Sequence, residues 1–209
     1  MKYIPRLLVS LIVASCSFSS DFYFDEDFSG KVENRIDVST LIAFAGEDSD
    51  SLELGIREGI SEKRDSIIDI FDRKKGISNT DIYYTEAVIT FEYDFNDIES
   101  LNGVGTSLNN VDDNLQGFML SAGQFSADNE QFSFVESPTD DTEMLQDTSF
   151  TQMLEFMELT NSFHFKNPIM TTTNGAYVLS EDNRSVSMTK KGQEITNAKV
   201  SFGTQINFK

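Results

Sequence analysis

One cysteine, no tryptophan, three prolines and only 16 basic residues against 35 acidic ones set the first limits on this chain of 209 residues. With Cys16 alone, no internal disulfide can form, so the fold has to be held by its core. The formal net charge of −19 leaves no basic stripe to neutralise phosphates, which excludes nucleic acid as a partner and disfavours anionic lipid headgroups. The longest apolar run, Leu7-Leu8-Val9-Ser10-Leu11-Ile12-Val13, is far short of the roughly 20 residues a membrane-crossing helix needs. Residues 47–51 carry Asp48 and Asp50 but lack the spaced acids, glycine and closing Glu of a calcium loop. No metal or other cofactor is expected. What is present is 39% hydrophobic residues, 18 of the chain's residues being Phe, which is ample for a packed core.

Residues 1–15 read as a secretory signal peptide: Lys2 and Arg6 precede the short apolar run, and small residues follow it. The residues Val13-Ala14-Ser15-Cys16 resemble the bacterial lipobox. That resemblance implies cleavage between Ser15 and Cys16, with acyl chains such as palmitate placed on the Cys16 thiol and its new amino group. An acylated thiol is neither a nucleophile nor a metal ligand. Removing 15 residues from 209 leaves 194, and losing Lys2 and Arg6 leaves 14 basic residues against 35 acidic ones, a net charge of about −21. Residues 16–20 then read as a lipidated tether and 21–209 as one α+β domain, with a subdivision near 110–142 left open.

Along that domain the hydrophobic periods predict an antiparallel or mixed sheet of hairpins with a few packed helices. Phe22 and Phe24, the turn Asp27-Phe28-Ser29-Gly30, and the alternating Val32, Asn34, Ile36 and Val38 predict a first hairpin, with Gly30 supplying an unusual φ. Ser39 and Thr40 cap a short helix over 41–45 that stops at Gly46, and 47–51 reads as a polar loop. A longer helix opens at Ser61, turns Ile67, Ile68 and Phe71 inward, and closes on Arg73-Lys74-Lys75 before Gly76. The stretch 82–95 alternates, with Val88 the one apolar residue on the polar side, and predicts one strand with a wet face. Asn96 and Glu99 approximate a capping box for a helix around Ile98 and Leu101, loosened by Gly103 and Gly105.

In the second half, 118–121 and 132–135 are short strand candidates, and 142–154 predicts a helix with Met144, Leu145, Met153 and Leu154 in the core. Residues 157–166 alternate, with Met157, Leu159, Phe163 and Phe165 inward, so the only histidine, His164, falls on the polar side. A strand at 169–172, a hairpin over 176–189 and a last strand carrying Val200, Phe202, Ile206 and Phe208 complete the pattern.

Several pieces resemble small bacterial lipoproteins of the LppM type. They are the hairpin Phe24-Asp25-Glu26-Asp27-Phe28-Ser29-Gly30-Lys31, then Gly76-Ile77 with the stretch 87–93 and Phe95-Asn96-Asp97-Ile98-Glu99-Ser100-Leu101-Asn102, and Phe163-His164-Phe165 with Pro168, Asn174-Gly175-Ala176 and the hairpin 180–187. The resemblance implies an α+β lipoprotein fold and brings no catalytic residues. The chain departs from the pattern in having only Lys166 after Phe163-His164-Phe165, where relatives are often basic, and no apolar helix at its C-terminus.

Three functions follow in order. The first is a non-catalytic envelope lipoprotein, fastened to the membrane through Cys16, that binds or scaffolds an envelope protein. Ser17 lacks the Asp that commonly retains lipoproteins at an inner membrane, which points to the outer membrane. The second is a carrier or sensor of a lipid-like apolar ligand held among the Phe side chains. The third is a hydrolase pairing Asp112-Asp113 or Asp140-Asp141 with His164, although adjacent carboxylates in polar loops lack the unlike environments such chemistry needs.

Overall fold

Strand β1 (Ser17–Phe24) runs through the middle of a seven-stranded sheet. The structure is a computed structural model and describes residues 17–108, 123–128, 130–136, 157–192, 194 and 201–209. Ser15 and Cys16 therefore lie outside the described residues, as do the expected strand 118–121, the expected helix 142–154 and Val200.

The other strands of the large sheet are β2 (Gly30–Asp37), β3 (Ile77–Thr85), β4 (Val88–Phe95), β7 (Glu158–Phe165), β9 (Val178–Leu179) and β10 (Ser185–Lys191). Their order is β3-β4-β2-β1-β7-β10-β9. β1 pairs antiparallel with β2 and parallel with β7, so the sheet is mixed. A second sheet of β5 (Gly123–Ala127), β6 (Gln131–Glu136), β8 (Ile169–Thr172) and β11 (Thr204–Phe208) has the order β5-β6-β11-β8. The helices are α1 (Ser39–Ala45), α2 (Ser49–Asp72) and α3 (Ile98–Leu108), which makes the fold α+β.

Helix and second sheet cover the same face of the large sheet. Ile67 and Phe71 of α2 are buried there, the Phe71 ring lying 4.7 Å from Phe91 and 5.5 Å from Tyr93. Phe125, Phe132 and Phe134 of the second sheet meet Phe22, Phe24, Phe163 and Phe165 of β1 and β7 in a continuous run of ring contacts. Such aromatic pairs add about 0.5–1.5 kcal/mol each beyond the area they bury. The phenylalanines described here thus serve as core.

Two polar ties join the layers. Asn102 of α3 donates to the Phe125 carbonyl and accepts from the Phe125 N–H at 2.8 and 2.7 Å. Lys190, 3% exposed, reaches from β10 to Glu136 of β6 at 3.1 Å and lies 3.7 Å from the Phe202 ring centre. Burial pulls the Lys190 ammonium down in pKa, and Glu136 only partly offsets it.

Several expectations need correction. Ser17–Ser20 is not a tether: it is the first half of β1, hydrogen-bonded on both sides, because Phe18 and Ser20 continue the inward face begun by Phe22 and Phe24. The 47–51 loop is instead a 3-10 turn over Gly46–Asp48 running straight into α2, which starts twelve residues before Ser61. The interior glycines Gly55 and Gly59 weaken helix propensity there without ending it. Helix α1 is capped from before its start, Asp37 accepting the Ser39 N–H at 2.8 Å. Likewise Asp97, not Asn96, caps α3, accepting the Ser100 N–H at 2.7 Å, and the helix continues through Gly103 and Gly105. Gly30 has no unusual φ; Phe28 takes the left-handed conformation, and Gly30 is needed because a Cβ there would fall 1.8 Å from the Tyr23 carbonyl oxygen.

The stretch 82–95 is not one strand but most of a hairpin, β3 and β4 meeting at Glu86-Ala87. Both turn residues have positive φ, 53° and 64°, the two-residue turn that fits strand twist but usually employs Asn-Gly. A left-handed backbone costs a non-glycine residue about 1–2 kcal/mol. Ala87→Gly is therefore expected to raise stability by about 1 kcal/mol, read from urea unfolding; an unchanged or lower midpoint would show that the turn is not strained.

Candidate functional site

The large sheet's second face carries the polar half of each alternating strand, and no described element packs on it. Rows of side chains cross it in register. Asp94, Lys31, Tyr23, His164 and Ser185 form one row over β4-β2-β1-β7-β10, and Glu92, Glu33, Asp21, Ser162 and Ser187 form the next.

His164 thus lies on the polar side of β7 as its sequence position implied, and parallel pairing sets it directly beside Tyr23. The two rings stack with centroids 4.5 Å apart and planes 11° from parallel. His164 Nε2 lies 3.1 Å from an Asp21 oxygen, and because an ionised carboxylate only accepts, the imidazole donates. The other Asp21 oxygen accepts from Arg35 at 2.9 Å, and Arg35 also reaches Glu33 at 2.5 Å. Alongside, Lys31 donates to Glu92 at 2.9 Å, and Tyr83 donates to Glu92 at 3.3 Å.

Burial alone would raise the Asp21 carboxyl, but the His164 hydrogen bond and the Arg35 guanidinium outweigh it and hold Asp21 below its ordinary value of 3.8. Burial and the neighbouring Asp21 and Glu33 carboxylates push the Tyr23 hydroxyl up. The hydrogen bond to Glu92 holds the Lys31 ammonium above its ordinary range. Lys31 and Arg35 on this face are therefore each paired with carboxylates. Next to the ring pair is a shallow depression of about 420 Å³, lined by Tyr23, Lys31, Asp94, Asn96, His164 and Lys166. Lys166 is its most open cation, 3.7 Å from Asp25.

The histidine's hydrogen-bond partner is thus Asp21. Asp112, Asp113, Asp140 and Asp141 lie outside the described residues. Sequence reasoning missed the Asp21–His164 pair, since β1 and β7 are separated by more than 130 residues and only their parallel register brings the two together. The one signal available was that Asp21 and His164 each sit on the polar phase of a strand rich in Phe. Among the described residues no three His, Cys, Asp or Glu side chains are grouped to hold a metal ion, and no helix is long and apolar enough to cross a membrane.

No protein-family model matches this chain, and no curated protein matches it. Among solved structures it is similar to the NMR structure of the folded domain of LppM from Mycobacterium tuberculosis, with a TM-score of 0.46 and 9% identity over 93% of this chain and 89% of that one. At so low a similarity, what the chain does has to be read from its own residues.

A depressed carboxyl pKa supports the fold fully above about pH 4 and ceases to do so as pH falls through the folded value. The chain is expected to lose stability progressively below pH 4. Asp21→Asn should lower stability at pH 7 by about 1–3 kcal/mol and flatten that acid limb. Thermal melts from pH 7 to pH 2 read both; parallel limbs for the two proteins would remove Asp21 from the explanation.

Proposed function

We propose that the chain is an envelope lipoprotein of the outer membrane, fastened through lipid on Cys16, whose folded part binds a protein partner without catalysing a reaction. The anchor rests on the Val13-Ala14-Ser15-Cys16 pattern following a short apolar run, and the membrane choice on Ser17 standing where an inner-membrane retention signal has Asp. Anchoring by two or three acyl chains is effectively permanent at about 0.8 kcal/mol per buried methylene.

The observation that carries the binding role is the open sheet face. Its Tyr23–His164 ring pair stands over side chains already paired in charge, beside the depression toward Lys166. Aromatic groups set among satisfied polar ones are what a protein interface employs at its centre. An anionic polymer would find no surplus of positive charge there.

A lipid-like ligand is the second reading, and one observation favours it. On the covered face, Asn34 and Asn161 flank Ser20 in register, both under 9% exposed. Ser20 donates to Asn34 Oδ1 at 2.7 Å, yet the Nδ2 atoms of both asparagines have no acceptor among the described residues. A buried ester or hydroxyl oxygen would satisfy them.

Metabolic labelling with a fatty-acid probe is expected to mark the native protein and not Cys16→Ala; equal labelling of both, or of neither, overturns the anchor. Crosslinking in intact cells should trap a stoichiometric envelope protein that Tyr23→Ala loses by about tenfold, the effect expected for a central aromatic contact. A product unaffected by Tyr23→Ala, or a stoichiometric lipid seen instead by native mass spectrometry, would turn the reading to the second one.

A further inference from the structure

If Cys16 carries lipid, as proposed above, the absence of a tether fixes which end of the molecule meets the bilayer. Ser17 is already in β1, and Cys16 is the residue bonded directly before it, one Cα step of about 3.8 Å along the chain. Ser17 pairs with Asp37, the last residue of β2, and α1 begins two residues later at Ser39. The anchor and α1 are thus neighbours at one edge of the large sheet.

The same edge collects apolar side chains that the core does not use. Helix α1 reads Ser-Thr-Leu-Ile-Ala-Phe-Ala, and none of its residues is buried. Leu41, Ile42 and Phe44 are only partly buried, and none is packed against the core cluster. Helix α2 runs back toward this edge: Arg57 stacks 4.8 Å from the Tyr84 ring, one residue from the end of β3. Ser49, eight residues earlier, therefore projects about 12 Å past that point. In α2 only Ile67 and Phe71 are buried, so its projecting turns leave Leu52 partly buried and Leu54 54% exposed.

We infer that Leu41, Ile42 and Phe44 of α1, with Leu52 and Leu54 of α2, form a face that lies in the headgroup region of the membrane holding Cys16. Of the five only Leu54 is exposed, but all lie outside the core, and apolar groups gathered outside the core at one end of a fold mark interaction sites. A lipid surface is the partner that fits, because the covalent anchor holds it within reach. The stretch 39–56 contains Glu47, Asp48, Asp50 and Glu53 and no basic residue, so the surface it suits is zwitterionic and the contact is made by apolar insertion.

The chain has no tryptophan, so a single introduced one reports on its own position. The full protein, purified with its acyl chains and reconstituted in phosphatidylcholine vesicles with brominated acyl tails, is compared as Phe44→Trp and as Met170→Trp. Met170 is 56% exposed, and its neighbour Ile169 pairs with Phe208, whose ring touches Phe28 at the opposite end of β1. Bromine quenching about threefold stronger for Phe44→Trp is expected for a face lying in the headgroup region. Equal quenching overturns the inference, whether because the face stands clear of the bilayer or because another segment covers it. Leu54→Trp supplies the same reading if Phe44→Trp misfolds. Intact mass of the same sample separates the two failures: acylated protein without quenching sinks this face alone, whereas protein without acyl chains sinks the anchor beneath it and this face with it.

Discussion

The parallel pairing of β1 with β7 is the constraint on which the rest of the molecule depends. It joins residues 17–24 to residues 158–165 and makes the first described strand a central one. On one face it stacks Phe24 against Phe165 at 5.1 Å and sets Phe22 tilted against Phe163 at 5.4 Å, the rings on which the second sheet is seated. On the other it sets Tyr23 against His164 and Asp21 within reach of the same imidazole. Core and surface site are two sides of one ladder. Parallel partners need a long crossover connection, and here it carries β2 to β6 with the three described α-helices.

How much of this was legible depended on whether the signal was local. The strands around Val32, Phe91 and Phe163 follow from period-two alternation because one face is buried, and the hairpin over 176–189 follows from its polar loop. The β3–β4 turn was illegible because Glu86 and Ala87 carry no turn chemistry; tertiary pairing imposes the left-handed conformation on them. The start of α2 reads as loop only over 47–51, and 52–60 carry no clear pattern, because the acids and glycines there look solvated, and they are: the helix continues through Arg57–Glu53 pairing and contact with Tyr84, not through a buried stripe. Ser17–Ser20 looked like a linker because a serine run has no pattern of its own, and its pairing partners lie far along the chain.

The surface site divides in the same way. Assigning His164 to the polar phase of a strand needed only its neighbours, whereas its stack with Tyr23 and its bond to Asp21 required knowing strand order and register. The Lys190–Glu136 clasp was hidden for a related reason. Alternation puts Lys190 in phase with the inward Val186 and Met188, but nothing local names its partner, Glu136, which also accepts from the Ser201 hydroxyl and the Phe202 N–H.

The position of β1 also determines how the fold bears mechanical load. A pull applied at residue 17 along the strand is taken in shear by eight paired residues on each side, so the hydrogen bonds to β2 and β7 resist together and do not unzip one after another. Forced unfolding is governed by the barrier to that first rupture. The molecule is consequently built to stay folded when it is tugged from its N-terminal end, a property that a strand at the margin of the sheet would not confer.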